Sequence, residues 1–250
     1  MLEENLESPE IEEIQAFKGV NPKLGFVRKV YGILSFQCLF TAAFVYLSHT
    51  KWKSFFEVGL YGENPWASSL VWLACIGTTI TMVSITCYTQ LAVTVPTNYI
   101  LLGIFTLCET YTVAYATSFF DPEDIILAAV LTITLTLTLT LYALVTKHDF
   151  TVYGGLLWIL GWSITAVVCV RFGIMDKTHP AYHFWNVIVL VCAVAIYGFY
   201  LLFDTMLIME GGDFGLSLDD YIIAAILIYV DMIILFLRIL AIVAALSRRN

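Results

Sequence analysis

Seven apolar stretches, each about as long as a helix needs to cross a lipid bilayer, limit the possible folds more than any other feature. They lie near residues 30–48, 67–89, 98–119, 124–146, 152–174, 182–207 and 220–246. A helix must run for about 20 apolar residues to cover the hydrocarbon core of a membrane. Since 60% of the residues are hydrophobic and only 13% are charged, the chain cannot supply a water-facing shell. We therefore predict an all-α integral membrane protein, a bundle of seven transmembrane helices.

The charges outside these stretches are mostly acidic, and the net charge is −8. Residues 1–25 precede the first stretch, and much of the acidic surplus lies there. We predict a flexible acidic tail over residues 1–25 and one transmembrane domain over residues 26–250. A nucleic-acid partner needs a basic stripe, which the sequence lacks, so we expect contact with the lipid bilayer and no nucleic-acid partner.

One stretch has the pattern of a β-strand. Leu131 to Leu141 reads LTITLTLTLTL, a strict alternation of apolar and polar residues. A lone strand in lipid leaves its backbone N–H and C=O groups unpaired, at a cost of roughly several kcal/mol each, whereas a helix pairs them internally. We therefore predict a helix whose threonine hydroxyls bond back to the preceding turn.

Four ionisable residues fall inside the apolar stretches, where a charge is costly and each such group is a candidate for function. They are Glu109, Asp204, Asp231 and Arg238. Asp231 and Arg238 are seven residues apart and so share one helix face about 10 Å from each other. Direct pairing requires the arginine stem to fold back, and the alternative is that Arg238 extends to the membrane interface.

Asp204 and Asp231 lie on the last two predicted helices, which the loop 208–219 joins as antiparallel neighbours. Both enter the membrane from the same side, at depths that differ by roughly one helical turn. Two carboxylates that meet in a low dielectric cannot both ionise cheaply, so we expect them to share one proton. With the proton the pair is a neutral latch; without it the pair repels itself and offers oxygen ligands suited to Ca²⁺. Alternatively, each aspartate bonds a threonine or a backbone group and holds the bundle together.

Several short motifs resemble the signature of the Bax inhibitor-1 family, and most of all its Lifeguard branch. They are Phe203–Met209, Leu218–Ile222 and Ile228–Asp231 in the last two stretches, with Phe26–Tyr31 and Thr146–Thr151 earlier in the chain. The resemblance covers about residues 24–246. It implies a seven-helix bundle of the Bax inhibitor-1 type.

The resemblance also implies a function. In that family the two matching aspartates are the proposed pH sensor of a calcium leak, which assigns this role to Asp204 and Asp231, with Ca²⁺ as a transient ligand of both. Residence in the endoplasmic reticulum or Golgi, calcium homeostasis, suppression of apoptosis and cell-death regulatory partners are implied as well. No cofactor is expected.

Three residues qualify this reading. Met206 stands where the family usually has glutamine, which loosens polar contacts near Asp204. Arg238 occupies a position that is usually uncharged, and its cation would favour loss of the shared proton or impede the passage of cations. Glu109 is either a third acidic group in the ion path or the partner of a buried tyrosine or threonine hydroxyl.

Two other kinds of protein fit parts of the sequence. A non-conducting membrane protein that regulates cell death through its tail or loops would need no ion path. An intramembrane aspartyl protease also carries two aspartates on adjacent late helices. Families that resemble such proteases have a Gly-x-Gly-Asp turn at the second aspartate. Asp231 instead follows Ile228-Tyr229-Val230, and no proline occurs after Pro180, so we expect no enzyme.

Overall fold

The structure, a computed structural model, describes residues 22–60, 65–146, 151–174, 182–210 and 220–247. Within these ranges the helices are α1 (Pro22–Thr50), α2 (Lys53–Leu60), α3 (Pro65–Cys87), α4 (Thr89–Val93), α5 (Thr97–Thr117), α6 (Pro122–Val145), α7 (Gly154–Ile174), α8 (Tyr182–Glu210) and α9 (Tyr221–Ser247). A 3-10 turn at Thr151–Tyr153 precedes α7. No strand occurs in the described ranges, so the prediction of an all-α protein is confirmed.

Six of these helices are long and apolar enough to cross a membrane: α1, α3, α5, α6, α8 and α9. Many of their large apolar side chains face outward, as for Leu39, Trp72 and Ile126, which are 72%, 73% and 66% exposed. Such a surface is stable only against lipid, and the prediction of an integral membrane protein is confirmed. The described apolar part of α7, Gly154–Val167, is shorter, and the seventh crossing stays a prediction.

The first helix begins earlier than expected. Residues 1–21 lie outside the described residues, but α1 starts at Pro22, so residues 22–25 are helical rather than part of the predicted tail. Proline is tolerated in the first turn of a helix, where its missing N–H has no intrahelical partner to lose. The predicted connection over 49–66 also contains the short helix α2. Of the predicted hairpin loop 208–219, residues 211–219 lie outside the description.

The alternating segment is helical along its whole length, as predicted, since Leu131–Leu141 lies inside α6. The hydroxyls of Thr132, Thr134 and Thr138 donate to the carbonyl oxygens four residues earlier, at 2.8 Å each. The local alternation favours a strand, but the membrane environment favours a helix, because only a helix pairs the backbone groups internally.

Helix α9 is the centre of the bundle. It packs against α8, α6, α1 and α5. Half of the residues in its most apolar 18-residue stretch are buried, compared with 17% to 39% in the other five spanning helices. Its residues Tyr229 and Leu235 have no exposed surface. A side chain on α9 therefore contacts several other helices at once.

Helix α7 packs mainly against α8. The hydroxyl of Tyr200 on α8 donates to the carbonyl oxygen of Leu157 at 2.6 Å. It also occupies the place where a side chain at Gly161 would begin. Glycine at this position is what allows the two helices to approach so closely.

Candidate functional site

The two aspartates predicted as a pair lie on neighbouring antiparallel helices. Asp204 stands six residues before the end of α8 at Glu210, and Asp231 ten residues after the start of α9 at Tyr221. At 1.5 Å per residue their depths differ by about 6 Å, close to one helical turn. The side chains bridge this difference, because the two carboxyl groups are close enough to interact electrostatically.

The pair is largely shielded from solvent. Asp231 is 7% exposed and Asp204 is partly buried. One oxygen of Asp231, Oδ2, is buried without a hydrogen-bond donor among the described residues. Two carboxylates have only acceptor oxygens, so a hydrogen bond between them requires that one of them carries a proton. Close approach of the two carboxyl groups is therefore least costly when the pair holds one proton.

An aromatic residue lies close to the pair. Tyr200 is one turn before Asp204 on α8 and interacts electrostatically with both aspartates. Its hydroxyl proton is donated to Leu157 on α7. Tyr200 therefore connects the helix that carries Asp204 with the outermost described helix.

The residue that departs from the family pattern, Met206, makes apolar contacts. It is 4% exposed and forms a small buried cluster with Leu202 on α8 and Ala143 on α6. Met206 therefore contributes apolar packing between α8 and α6 close to Asp204.

Arg238 extends toward α8. Its guanidinium carbon lies 6.0 Å from the centre of the Tyr197 ring, within the range of a cation–π interaction. Tyr197 is two turns from Asp204 along α8. The arginine is half-buried.

Glu109 lies apart from the pair. It is on α5 beside Thr78 of α3. The Thr78 hydroxyl is buried and has no hydrogen-bond partner within 3.5 Å among the described residues, so the two side chains are close without a well-formed bond. Glu109 also interacts electrostatically with Tyr229, two residues before Asp231. The structure thus places this acid near the central helix but not against the pair.

A buried polar network that the sequence analysis did not identify joins α1, α5 and α9. The Thr41 hydroxyl lies 2.9 Å from the Thr110 hydroxyl and 2.7 Å from the Tyr229 hydroxyl. One turn away on α1, the side-chain amide of Gln37 donates to Thr106 at 2.9 Å. All five residues are at most 5% exposed. The network anchors α9 two residues from Asp231.

The sequence does contain a signal for this network. Gln37 and Thr41 are four residues apart on α1, and Thr106 and Thr110 have the same spacing on α5. Polar residues with this spacing share one helix face, and in a membrane that face is expected to hydrogen-bond another helix. These four residues are uncharged, so the ionisable groups at bilayer depth do not include them.

These features define a polytopic α-helical membrane protein with an aspartate pair held between its last two helices. Residues 24–249 match the family model Bax1-I, described as inhibitor of apoptosis-promoting Bax1. The chain belongs to this Bax inhibitor family, and the resemblance noted in its sequence is confirmed.

Individual relatives agree with the family match. Bax inhibitor 1 of Schizosaccharomyces pombe is 27% identical over 260 aligned residues, which cover 99% of this chain and 90% of the relative. Protein lifeguard 4 of Mus musculus is 30% identical over 236 residues, covering 94% and 90%. Protein lifeguard 3 of Mus musculus is 30% identical over 224 residues, covering 88% and 69%.

Proposed function

We propose that this protein is a pH-sensitive calcium leak channel of intracellular membranes, gated by the Asp204–Asp231 pair. The observation that carries the proposal is the close approach of two secluded carboxyl groups on adjacent helices. A direct hydrogen bond between them can form only while one proton is shared. Loss of that proton is the event that opens the path.

The magnitude of the effect supports this assignment. Two unit charges about 4 Å apart repel by ~4 kcal/mol at an effective dielectric constant of about 20. Since ~1.4 kcal/mol corresponds to a factor of ten, this repulsion shifts an equilibrium between packed and separated helices by about a thousandfold. That is enough to convert a mainly closed population into a mainly open one.

Calcium is the proposed permeant ion, and the aspartates contact it transiently. Among the described residues, no three His, Cys, Asp or Glu side chains gather into one group. Calcium binds stably to about six to eight oxygen ligands, and two carboxylates fall short of that number. The pair therefore suits passage of the ion better than its retention.

We also propose that α7 completes the bundle as a seventh crossing. At 1.5 Å per residue its 21 residues span about 30 Å, the thickness of the hydrocarbon core. Seven crossings place the two ends of the chain on opposite sides of the membrane. Accessibility of a cysteine introduced near each end, measured with an impermeant thiol reagent on sealed vesicles, tests this arrangement.

The cellular role follows from the family. Its description as an inhibitor of apoptosis-promoting Bax1 supports a role in suppressing cell death, with membrane proteins of that pathway as partners. The resemblance supports residence in the endoplasmic reticulum or Golgi. Co-localisation of the tagged full-length chain with markers of both organelles tests the location.

The flux experiment uses the purified full-length chain in vesicles that contain a calcium-sensitive dye. Calcium influx is expected to rise with pH, because deprotonation makes the pair doubly charged. Asp231→Asn cannot ionise, but its amide still donates a hydrogen bond to Asp204, so this variant is expected to leak little at every pH. Asp124→Asn is the matched control, since Asp124 is also 7% exposed but lies in the first turn of α6. It should retain the pH response.

Two results would contradict the proposal. Equal influx through the unmodified chain and Asp231→Asn at every pH would remove the pair from gating. No influx through any form, with every form folded and inserted, would favour the non-conducting protein that regulates cell death through its partners.

A further inference from the structure

Two cavities meet at one end of the bundle. An apolar cavity of about 430 Å³ lies between α1, α6 and α9. A second cavity of about 200 Å³ lies where α1 ends, α2 begins and α5 turns into α6. Both are lined by His49 and Pro122, so the two cavities adjoin at these residues.

The larger cavity has the depth of one membrane leaflet. It extends from Thr50, the last residue of α1, to Cys38, twelve residues earlier on that helix. On α6 it extends from Pro122 to Ile133. At 1.5 Å per residue both distances are about 17 Å, close to half of the roughly 30 Å hydrocarbon core. One acyl chain that enters from the membrane surface fits this depth.

The smaller cavity is polar and carries both signs of charge. Lys53 lines it together with Asp121 and the hydroxyls of Ser48 and Ser118. Asp121 is the N-cap residue of α6, yet its side chain makes no capping hydrogen bond. A carboxylate in that position ordinarily accepts a bond from the helix N-terminus, and the Asp121 side chain lines the cavity without making that bond.

The hydroxyls add acceptors of hydrogen bonds. Ser48 donates its proton to the carbonyl oxygen of Val45, and Ser118 donates to that of Tyr115, both at 2.7 Å. Each hydroxyl oxygen retains lone pairs that accept further bonds. The Lys53 ammonium lines the same cavity and has three hydrogen-bond donors. The cavity thus combines oxygen acceptors for a primary ammonium with a cationic donor for a phosphate.

We propose that these two cavities form a binding site for one phosphatidylethanolamine molecule of the surrounding leaflet. One acyl chain occupies the apolar cavity. The phosphate contacts Lys53, and the primary ammonium donates to Asp121 and the two serine hydroxyls. A choline head group has no N–H to donate, and an anionic head group without an ammonium leaves Asp121 facing like charge. The bound chain contacts α9 at Met232, Ile233 and Phe236.

The site is tested with the full-length chain in phosphatidylcholine vesicles that contain a small fraction of photoreactive phosphatidylethanolamine. The probe carries a diazirine near the end of one acyl chain. Mass spectrometry should locate adducts at the deep end of the apolar cavity, at Cys38 and Ile133. Adducts there that are no more frequent than at Leu39, which is 72% exposed, would overturn the proposal.

Two adjacent alanines of α1 provide a matched pair of variants. Ala42 and Ala43 are both exposed, but only Ala42 lines the apolar cavity. Ala42→Trp fills the cavity and should reduce labelling of Ile133 by about tenfold, equivalent to ~1.4 kcal/mol, whereas Ala43→Trp should leave it unchanged. An equal reduction by both variants would show that no particular cavity is occupied.

The head-group assignment has its own test. A photoreactive phosphatidylcholine with the same acyl chain should label Ile133 about tenfold less, the value of one charge-assisted hydrogen bond. Asp121→Asn keeps the size and the capping tendency of the side chain and should remove this preference. Equal labelling by the two lipids in the unmodified protein, or an unchanged preference in Asp121→Asn, would overturn the choice of phosphatidylethanolamine.

Discussion

The hydroxyl of Thr41 makes three hydrogen bonds inside the bundle, so its removal provides a quantitative test of the buried network. It lies 2.9 Å from the carbonyl oxygen of Gln37, 2.9 Å from the Thr110 hydroxyl and 2.7 Å from the Tyr229 hydroxyl. Thr41→Val keeps the shape of the side chain and deletes all three. Tyr229 has no exposed surface, so its hydroxyl is shielded from bulk solvent when it loses this partner.

Two rules give different magnitudes for this substitution. A buried polar group left without a partner costs about 1–3 kcal/mol in proteins generally, whereas hydrogen bonds between membrane helices average ~0.6 and reach ~1.7 kcal/mol. Thr41 bonds two other helices at once. We therefore expect a loss near the upper membrane value, about 1.5 kcal/mol, and a coupling of about 1 kcal/mol between Thr41→Val and Tyr229→Phe in a double-mutant cycle.

The assay is reversible unfolding in mixed detergent micelles, followed by the loss of helical circular dichroism. Thr134→Val is the control, because Thr134 on α6 is exposed and donates only to the carbonyl oxygen of Val130 within its own helix. It should change the free energy of unfolding by less than about 0.5 kcal/mol. The account of the network is refuted if Thr41→Val costs no more than the control and shows no coupling to Tyr229→Phe.

Two further substitutions test the packing on either side of the aspartate pair. Gly161→Ala should displace the Tyr200 hydroxyl and destabilise the protein by about 1–3 kcal/mol. Gly155→Ala is the control, because nothing lies within 4 Å of the added carbon, and it should be neutral or slightly stabilising. Equal shifts in melting temperature for the two variants would contradict the close approach of α7 and α8. Met206→Ala removes a side chain that is only 4% exposed and should cost about 2–5 kcal/mol, and Met232→Ala, which borders an existing cavity, should cost less. A greater loss at Met232 would show that the cluster around Met206 is loosely packed.

Much of the fold follows from local physics. The six helices that are long and apolar enough to cross a membrane coincide with predicted stretches, and except at the start of α1 their ends lie within a few residues of the predicted ones. Length and apolarity are enough to predict them, because these two properties determine whether a helix can cross a bilayer. The segment Leu131–Leu141 is the informative exception, where alternation favours a strand and the membrane requires a helix. The early start at Pro22 and the short helix α2 were missed because they depend on turn geometry rather than on hydropathy.

The candidate site was only partly predictable. The order of the last two helices and the short loop between them place Asp204 and Asp231 on the same side of the bundle. The contact between their carboxyl groups also depends on how α8 and α9 pack and on the side-chain conformations, since their depths differ by about one turn. The direction in which the Arg238 side chain extends also depends on helix packing, because its guanidinium lies beside the Tyr197 ring of α8.

By itself, the sequence determined that this protein spans a membrane as helices, which family it belongs to and which charges lie at bilayer depth, because these depend on the type and spacing of residues along the chain. The tertiary structure alone decided which polar groups meet. Thr41 contacts Thr110 and Tyr229 across 69 and 188 residues. The smaller cavity is formed where the end of α1, the start of α2 and the turn between α5 and α6 converge. Contacts of this kind depend on the rotation and approach of whole helices, which many weak packing interactions set together and no local pattern encodes.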